Sequence, residues 1–509
     1  MDSFDLLVVG GGVNGTAVAR DAAMRGASLL LVERDDLAAH TSSASSKLIH
    51  GGLRYLEYYQ FRLVREALAE REVMLRTAPH IVRPLRFVLP RCPALRPHWL
   101  IRSGLLLYDL FSIRGSLPRS RRIGRSEAGL HAPLKDRRRV LSYWDAWVDD
   151  SRLTILNAVA AAEHGAEIAV RTELVSARRE GGVWRAELSG GRTVEARAIV
   201  NAAGPWVAEV LNHRLAETSE SRVRLVKGSH IVVPALWRGE QAYILQQPDG
   251  RVVFALPFQG AFTLIGTTDI PVERPEDAAI TADEIRYLCE AADRYFIRQL
   301  VPGDVVWSYS GVRALHDDGS ADAKAVTRDY RLELDPDPGP RLLSVFGGKI
   351  TTARALAQEA LDRLGVEGRR QTAHAFLPGG DLYPGFLAWL EALAGWMPQA
   401  LVARLSHAYG TRLRDMIGEA RNLAELGRHF GAGLYEVELR WLRDREFART
   451  ADDVLWRRTK LGLAMSAAEA EGVEEWMQNT RHPGEGRDPG TRRDGSSDRN
   501  VPGPRLPRG

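Results

Sequence analysis

Leu6, Leu7, Val8 and Val9 form a short, wholly apolar run that stops at Gly10-Gly11-Gly12-Val13-Asn14-Gly15, after which Ala17, Val18, Ala22 and Ala23 return at helical spacing. This order predicts a strand, a tight turn and a helix. A second apolar run, 28–32, ends on Glu33. Farther along, Phe61, Val64, Leu68 and Leu75 mark one face of a long helix that has to stop before Pro79, and its arginines and glutamates read as a solvated face. Residues 154–162 read as a helix, 167–170 as a strand, and 183–188 with 193–196 as the arms of a hairpin around Ser189-Gly190-Gly191. The run 198–206 reads as a buried strand that ends in small residues and Gly204.

Between 225 and 307 the apolar runs are short, among them 230–233, 251–256 and 262–265, and they predict an antiparallel sheet rather than further strand–helix–strand units. Residues 342–352 repeat the opening theme, with a strand, the pair Gly347-Gly348, Lys349 and a helix start. Beyond Leu377-Pro378-Gly379-Gly380 the pattern is helical to about Met477, with Leu434, Val437 and Trp441 spaced for a common face. The expected fold is α/β: a Rossmann-like dinucleotide-binding domain assembled from 1–80, 140–205 and 308–370, an inserted antiparallel-sheet substrate domain from 81–139 and 206–307, and a helical C-terminal domain at 378–478. The last 29 residues have Val501 and Leu506 as their only large apolar side chains among five prolines and six glycines. They cannot offset the entropy of ordering, so 481–509 is expected to be a disordered tail.

Composition narrows the class. At 509 residues the chain is too long for one small core. Its formal charge of +4 owes most to seven arginines against four acids in 481–509, which leaves the body at +1, so the charge alone is no argument for nucleic acid. Cys92 and Cys289 lie far apart, which argues against a disulfide framework, a zinc site or a thiol redox pair, and no metal is expected. No segment holds the run of about 18 apolar residues that a membrane span needs, and the first residues lack the basic stretch of a signal peptide. The expectation is a chain that neither crosses a membrane nor is exported by that route. One local excess does need a partner: 83–139 carries fourteen basic residues against three acids and encloses an apolar run from Trp99 to Tyr108.

The glycine turn has the spacing of a dinucleotide site. Gly10 permits the turn, Gly12 lets backbone N–H groups approach a pyrophosphate, Gly15 lets helix and strand pack closely, and the helix N-terminus faces the anion. Glu33, eighteen residues past Gly15, stands where such a fold places the acid that holds a ribose hydroxyl. These features do not separate NAD from FAD. The next stretch, 41–55, supplies small residues, hydroxyls and a lysine in Ser42, Ser43, Ser45, Ser46 and Lys47, followed by His50-Gly51-Gly52-Leu53-Arg54-Tyr55. Such a loop suits a phosphate and a flavin ring.

Taken together, the turn, the serine-rich run and the His50 segment resemble the FAD-dependent glycerol-3-phosphate dehydrogenases, quinone-reducing enzymes of the membrane surface. The resemblance covers about residues 4–478 and extends to the Gly347-Gly348-Lys349 turn and the segment 452–460. It implies FAD bound by Gly10, Gly12, Gly15, Glu33, Ser42, Ser43, Ser45, Ser46, Lys47, Gly204, Gly347, Gly348 and Lys349. It implies glycerol 3-phosphate as substrate, oxidised by hydride transfer from C2 to the flavin N5, with Arg54, Tyr55, Arg313 and Arg328 binding its phosphate or hydroxyls. Arg313 is also counted among the catalytic groups. Flavin oxidation of an alcohol needs a base, and His50 and His230 are the candidates because imidazole titrates near neutral pH; the residues do not choose between them.

The implied acceptor is a membrane quinone, which places the protein on the cytoplasmic side as a peripheral component, with 83–139 offering cations to anionic headgroups and the Trp99 run entering them. A homodimer is compatible with this. The rival among enzymes is an oxidase of the same fold, or a relative acting on another 2-hydroxy compound. A nucleotide-bound RNA-binding protein lacks support, because aromatics are not interleaved with the arginines of 83–139.

Overall fold

β1 (Asp2–Val9) is central in an eight-stranded sheet, flanked in parallel by β2 (Leu29–Glu33) and by the strand Thr193–Asn201. The computed structural model describes residues 1–480 except 54–55, 57–58, 92–96, 113–114, 125, 139, 218–222, 317–329 and 336–338. Strands Arg341–Phe346 and Glu167–Val170 extend the parallel array on either side, and Arg331–Leu334 closes one edge in the antiparallel sense. Leu7, Val8, Leu30, Leu31, Ile199 and Val200 are fully buried, as expected for strands covered on both faces. Val183–Leu188 pairs antiparallel with Thr193–Asn201 across the Ser189-Gly190-Gly191 turn, as expected, and Leu174–Glu180 joins antiparallel on its other side.

α1 (Val13–Arg25) packs on this sheet and against helices Asp150–Glu163 and Ala353–Arg363. Its buried face is Ala17, Val18, Ala19, Ala22 and Ala23, and small side chains let neighbouring backbones come close. Gly26 ends the helix at φ +92, its N–H bonded to the Ala22 and Ala23 carbonyls.

A second sheet of ten strands stands beside the first. Its long strand Val223–Pro234 pairs antiparallel with Trp307–His316 and Phe262–Gly266, and the series continues through Val252–Phe258, Ala242–Gln246, Val82–Leu89 and Leu141–Val148. The antiparallel character expected from the short apolar runs is present, with one parallel pairing between Ala242–Gln246 and Val82–Leu89. The boundaries differ from those expected. Leu141–Val148 and Trp307–His316, assigned from sequence to the dinucleotide part, are strands of this second sheet, because hydrogen bonding to Val82–Leu89 and Val223–Pro234 places them there.

α2 (Phe61–Thr77) buries Val64 and Leu68, but its charges are not a uniformly solvated face. Arg71 is buried and bonded to Asp145 at 2.7 Å, and Glu70 receives the Arg354 guanidinium, Nε lying at 2.7 Å. α3 (His98–Phe111) lies against α2. It buries Leu105 and Tyr108 and exposes Trp99, Leu106 and Leu110. The C-terminal helices, from Pro384–Leu393 to Ala467–Asn479, enclose a core of their own that includes Leu413, Leu434, Leu439, Leu442 and Val454. The tail 481–509 and Cys92 lie outside the described residues; Cys289 is a buried free thiol.

Candidate functional site

The ends of β1, Thr193–Asn201 and Arg341–Phe346 open into one cavity of about 880 Å³. Gly10 turns the chain at φ +110, where an added Cβ would stand 2.6 Å from the Ala202 carbonyl oxygen. A Cβ on Gly15 would strike the Gly10 carbonyl, so this glycine permits the close fit of helix on strand rather than touching the cavity. At Gly12 the neighbour is Ser42 Oγ, which accepts the Val13 N–H at 2.9 Å and so binds the serine loop to the start of α1. Gly10, Gly12, Glu33 and Ser42 all line the cavity.

Glu33 ends β2 with both carboxylate oxygens engaged, Oε2 accepting the Gly11 N–H at 2.6 Å and Oε1 the Asp35 N–H at 2.9 Å. Burial pushes its pKa up, and the two backbone donors oppose that shift. Each oxygen keeps a second lone pair for a hydroxyl donor. Asn14 gives its amide N–H to the Gly347 carbonyl at 3.2 Å, while its Oδ1 is buried in the cavity wall without a hydrogen-bond partner among the described residues. Gly204, Gly347 and Gly348 line the same cavity at φ +57, +76 and +104. A glycine-turned helix N-terminus, an acid at the next strand end and an orphaned acceptor form a donor and acceptor set that fits FAD.

The serine loop divides its work. Ser45 and Ser46 line the cavity beside Ser42. Ser43 turns its hydroxyl to the His40 carbonyl at 3.2 Å, and Lys47 is buried below the loop with Nζ 2.7 Å from Asp150 and 3.0 Å from the Ser43 carbonyl. Neither lines the cavity, so the cofactor-contact role expected for them is replaced by a supporting one, because Asp150 offers a buried lysine the counter-charge it requires. Lys349 does line the cavity.

At the other end stand His50, His230 and Arg313, brought together from three parts of the chain. His230 is buried on strand Val223–Pro234, stacked on Tyr309 with ring centroids 4.9 Å apart. Its Nε2 lies 2.9 Å from Ser46 Oγ, and its Nδ1 has no hydrogen-bond partner among the described residues. Burial, then the nearby Arg313 and Lys47, hold its pKa well below the usual imidazole value, so it is neutral at pH 7. A Cβ on Gly266 would enter the His230 ring, which explains the glycine on the facing strand. Arg313 is ion-paired with Asp269 and reaches toward Thr267 Oγ1 at 3.4 Å. Arg54, Tyr55 and Arg328 lie outside the described residues.

Sequence reasoning missed Asp269, Tyr309 and the inner side of α3. Asp269 follows Gly266-Thr267-Thr268, a glycine-bearing strand end of the kind already weighed at Gly204, so a signal was present. Leu100, Ile101, Gly104 and Leu107 of α3 form an apolar wall of the cavity. Ser103 lines the cavity with them, while Trp99, Leu106 and Leu110 are exposed.

Residues 5–363 match the family described as FAD dependent oxidoreductase, and residues 370–481 match the C-terminal domain of alpha-glycerophosphate oxidase. The D-erythritol 1-phosphate dehydrogenase of Brucella abortus is 51% identical over 493 residues, covering 94% of this chain and 98% of the relative. The glycerol-3-phosphate dehydrogenase of Pseudomonas aeruginosa is 50% identical, with 94% and 96% covered. The solved structure of glycerol-3-phosphate dehydrogenase from Bacillus halodurans, complexed with FAD, aligns with a TM-score of 0.69 at 25% identity and covers 94% of each chain.

Proposed function

The chain belongs to the family of FAD-dependent glycerol-3-phosphate dehydrogenases, and from that premise we propose that it oxidises sn-glycerol 3-phosphate to dihydroxyacetone phosphate. The observation that carries the reading is the single cavity, in which Gly10, Gly12, Glu33 and Ser42 share walls with His50, His230, Arg313 and Lys349. When bound, FAD supplies the two-electron acceptor at flavin N5 for the hydride leaving C2 of the alcohol. The chain supplies orientation and the proton acceptor. His230 is held neutral, and its Nε2 with the Ser46 hydroxyl forms a short route for the proton of the C2 hydroxyl. His50, on the same cavity, is the alternative base.

Arg313 shares its charge with Asp269, so its remaining N–H groups suit a neutral substrate hydroxyl better than a phosphate dianion. The phosphate then falls to Arg54, Tyr55 and Arg328. The electron acceptor in this reading is a membrane quinone, reached from the cytoplasmic face. What supports it is α3, which walls the cavity on one side and exposes Trp99, Leu106 and Leu110 on the other, while no helix among the described residues is long and apolar enough to cross a membrane.

A second reading is oxidation of a four-carbon polyol phosphate, favoured by the 51% identity to an enzyme named for D-erythritol 1-phosphate. One experiment addresses both. Anaerobic addition of glycerol 3-phosphate should bleach the flavin band of the purified protein faster than D-erythritol 1-phosphate does; the reverse order selects the four-carbon reading, and an unchanged spectrum with both sinks the two together. Peroxide formed in air at the rate of substrate loss would point to an oxidase instead of a quinone-linked enzyme.

A further inference from the structure

The cofactor loops are gripped from behind by one short segment of the C-terminal domain. Asp149 and Asp150 stand side by side at the start of helix Asp150–Glu163, and each meets a buried lysine from a different direction. Asp150 takes Lys47 of the serine loop and also accepts the Ser45 hydroxyl at 2.7 Å. Asp149 takes Lys460 of the C-terminal domain at 2.7 Å, and Lys460 also bonds to Ser151 Oγ. Both lysines sit in the left-handed region, Lys47 at φ 56 and Lys460 at φ 59, an uncommon conformation for residues with a Cβ.

Two residues earlier, Arg458 reaches the other edge of the cofactor site. It is fully buried, pairs bidentately with Asp36, its Nη2 lying 2.8 Å from Oδ1, and gives a further N–H to the Glu446 carbonyl. Arg457 adds a third bond to Asp36. Asp36 does not line the cavity, but its chain neighbours shape it: the Asp35 N–H holds Glu33 Oε1, and the Ala38 N–H holds the Gly11 carbonyl at 3.1 Å. Without Arg458 the buried Asp36 would keep only Arg457, which it shares with Asp453, so the 34–38 loop would have to shift to complete the solvation of the carboxylate.

We propose that Arg458 and Lys460 are positioning residues for FAD, by which the C-terminal domain fixes the 33–38 and 45–47 loops in their cofactor-binding form. Their effect reaches the cofactor only through Asp36 and through the Asp149–Asp150 pair. A purely structural role within the C-terminal core would behave differently, and Arg404 supplies the comparison. It makes a bidentate pair with Glu438 inside that domain and touches neither loop.

The test is the rate of FAD release from the full-length holoenzyme, followed by the rise in flavin fluorescence, with the fold monitored by circular dichroism. Arg458→Met and Lys460→Met should each release FAD at least about tenfold faster than the parent, equivalent to ~1.4 kcal/mol. Arg404→Met should lower the melting temperature yet release FAD at the parent rate. Should Arg458→Met not fold, Arg458→Lys keeps the charge without the planar fork and should still speed release. Combining Asp36→Asn with Arg458→Gln restores a neutral hydrogen-bonded pair and should recover part of the retention. Parent-like release in the folded Arg458 and Lys460 variants, or equal release in Arg404→Met, overturns the proposal.

Discussion

Arg313 answers to two partners, the Asp269 carboxylate and whatever substrate enters beside it. Because Arg313 addresses a hydroxyl in the reading above, Arg313→Lys should raise KM for glycerol 3-phosphate and for phosphate-free glycerol by similar factors. A loss confined to the phosphorylated substrate would return the phosphate to Arg313. A lysine keeps the charge but not the fork, so the effect is geometric. Two buried histidines give a pH effect. Burial lowers the pKa of His80 to about 3, with the nearby Arg152 adding to the shift, and His230 is lowered in the same direction. Both groups stay neutral in the fold while the unfolded chain takes up protons below about pH 6.5. Their stabilising contribution is therefore complete above that pH and is lost as pH falls toward the folded values. For His80 the loss between about pH 6.5 and 4.5 is on the order of 2–3 kcal/mol. Denaturant titrations of the parent and His80→Gln should show a shallower acid limb in the variant, and parallel limbs would refute the assignment. At this scale, the turn at Gly10 and the strand end at Glu33 were legible because local backbone geometry decides them. Sequence reading failed at Lys47, whose buried partner Asp150 lies 103 residues away.

α3 is the element on which the acceptor reading rests. Trp99, Leu106 and Leu110 are 68%, 51% and 63% exposed, so polar substitutions there should leave the fold intact. Trp99→Gln with Leu106→Gln should reduce sedimentation with anionic liposomes, and added salt should weaken the parent's binding because screening lengths fall to about 8 Å near 0.15 M. A folded double variant that sediments like the parent would move the anchor to another surface. α3 is apolar on both sides, so its sequence did not say which side was core. The answer came from packing, with Leu105 and Tyr108 inward, and Tyr108 donating to Asp145 at 2.8 Å while accepting the Gly51 N–H. α2 misled for a related reason: Arg71 and Glu70 look like surface residues until Asp145 and Arg354 arrive from elsewhere in the chain.

For the whole molecule, the α/β class, the antiparallel second sheet, the helical C-terminal domain and a dinucleotide site were legible, because hydrophobic period and glycine spacing are local signals, whereas FAD came from the resemblance carried by the serine-rich run and the His50 segment. The domain boundaries were not, since a strand such as Trp307–His316 reads the same in either sheet until its partner is known. The same non-locality governs how the site comes into being. Asn14 and Gly347, which join opposite walls of the cavity, are 333 residues apart. At about 5–20 residues per second, synthesis separates them by roughly 17–67 s. Throughout that interval the glycine turn is already made but has no chamber around it, and the grip of Arg458 and Lys460 comes later still. Cofactor loading is therefore expected late in the life of each chain, after the 341–352 segment has joined the sheet. Ribosome-bound chains arrested at residue 340 should take up no flavin, whereas chains whose residues up to 480 have cleared the ribosome should; flavin on the shorter chains would mean that half a chamber suffices.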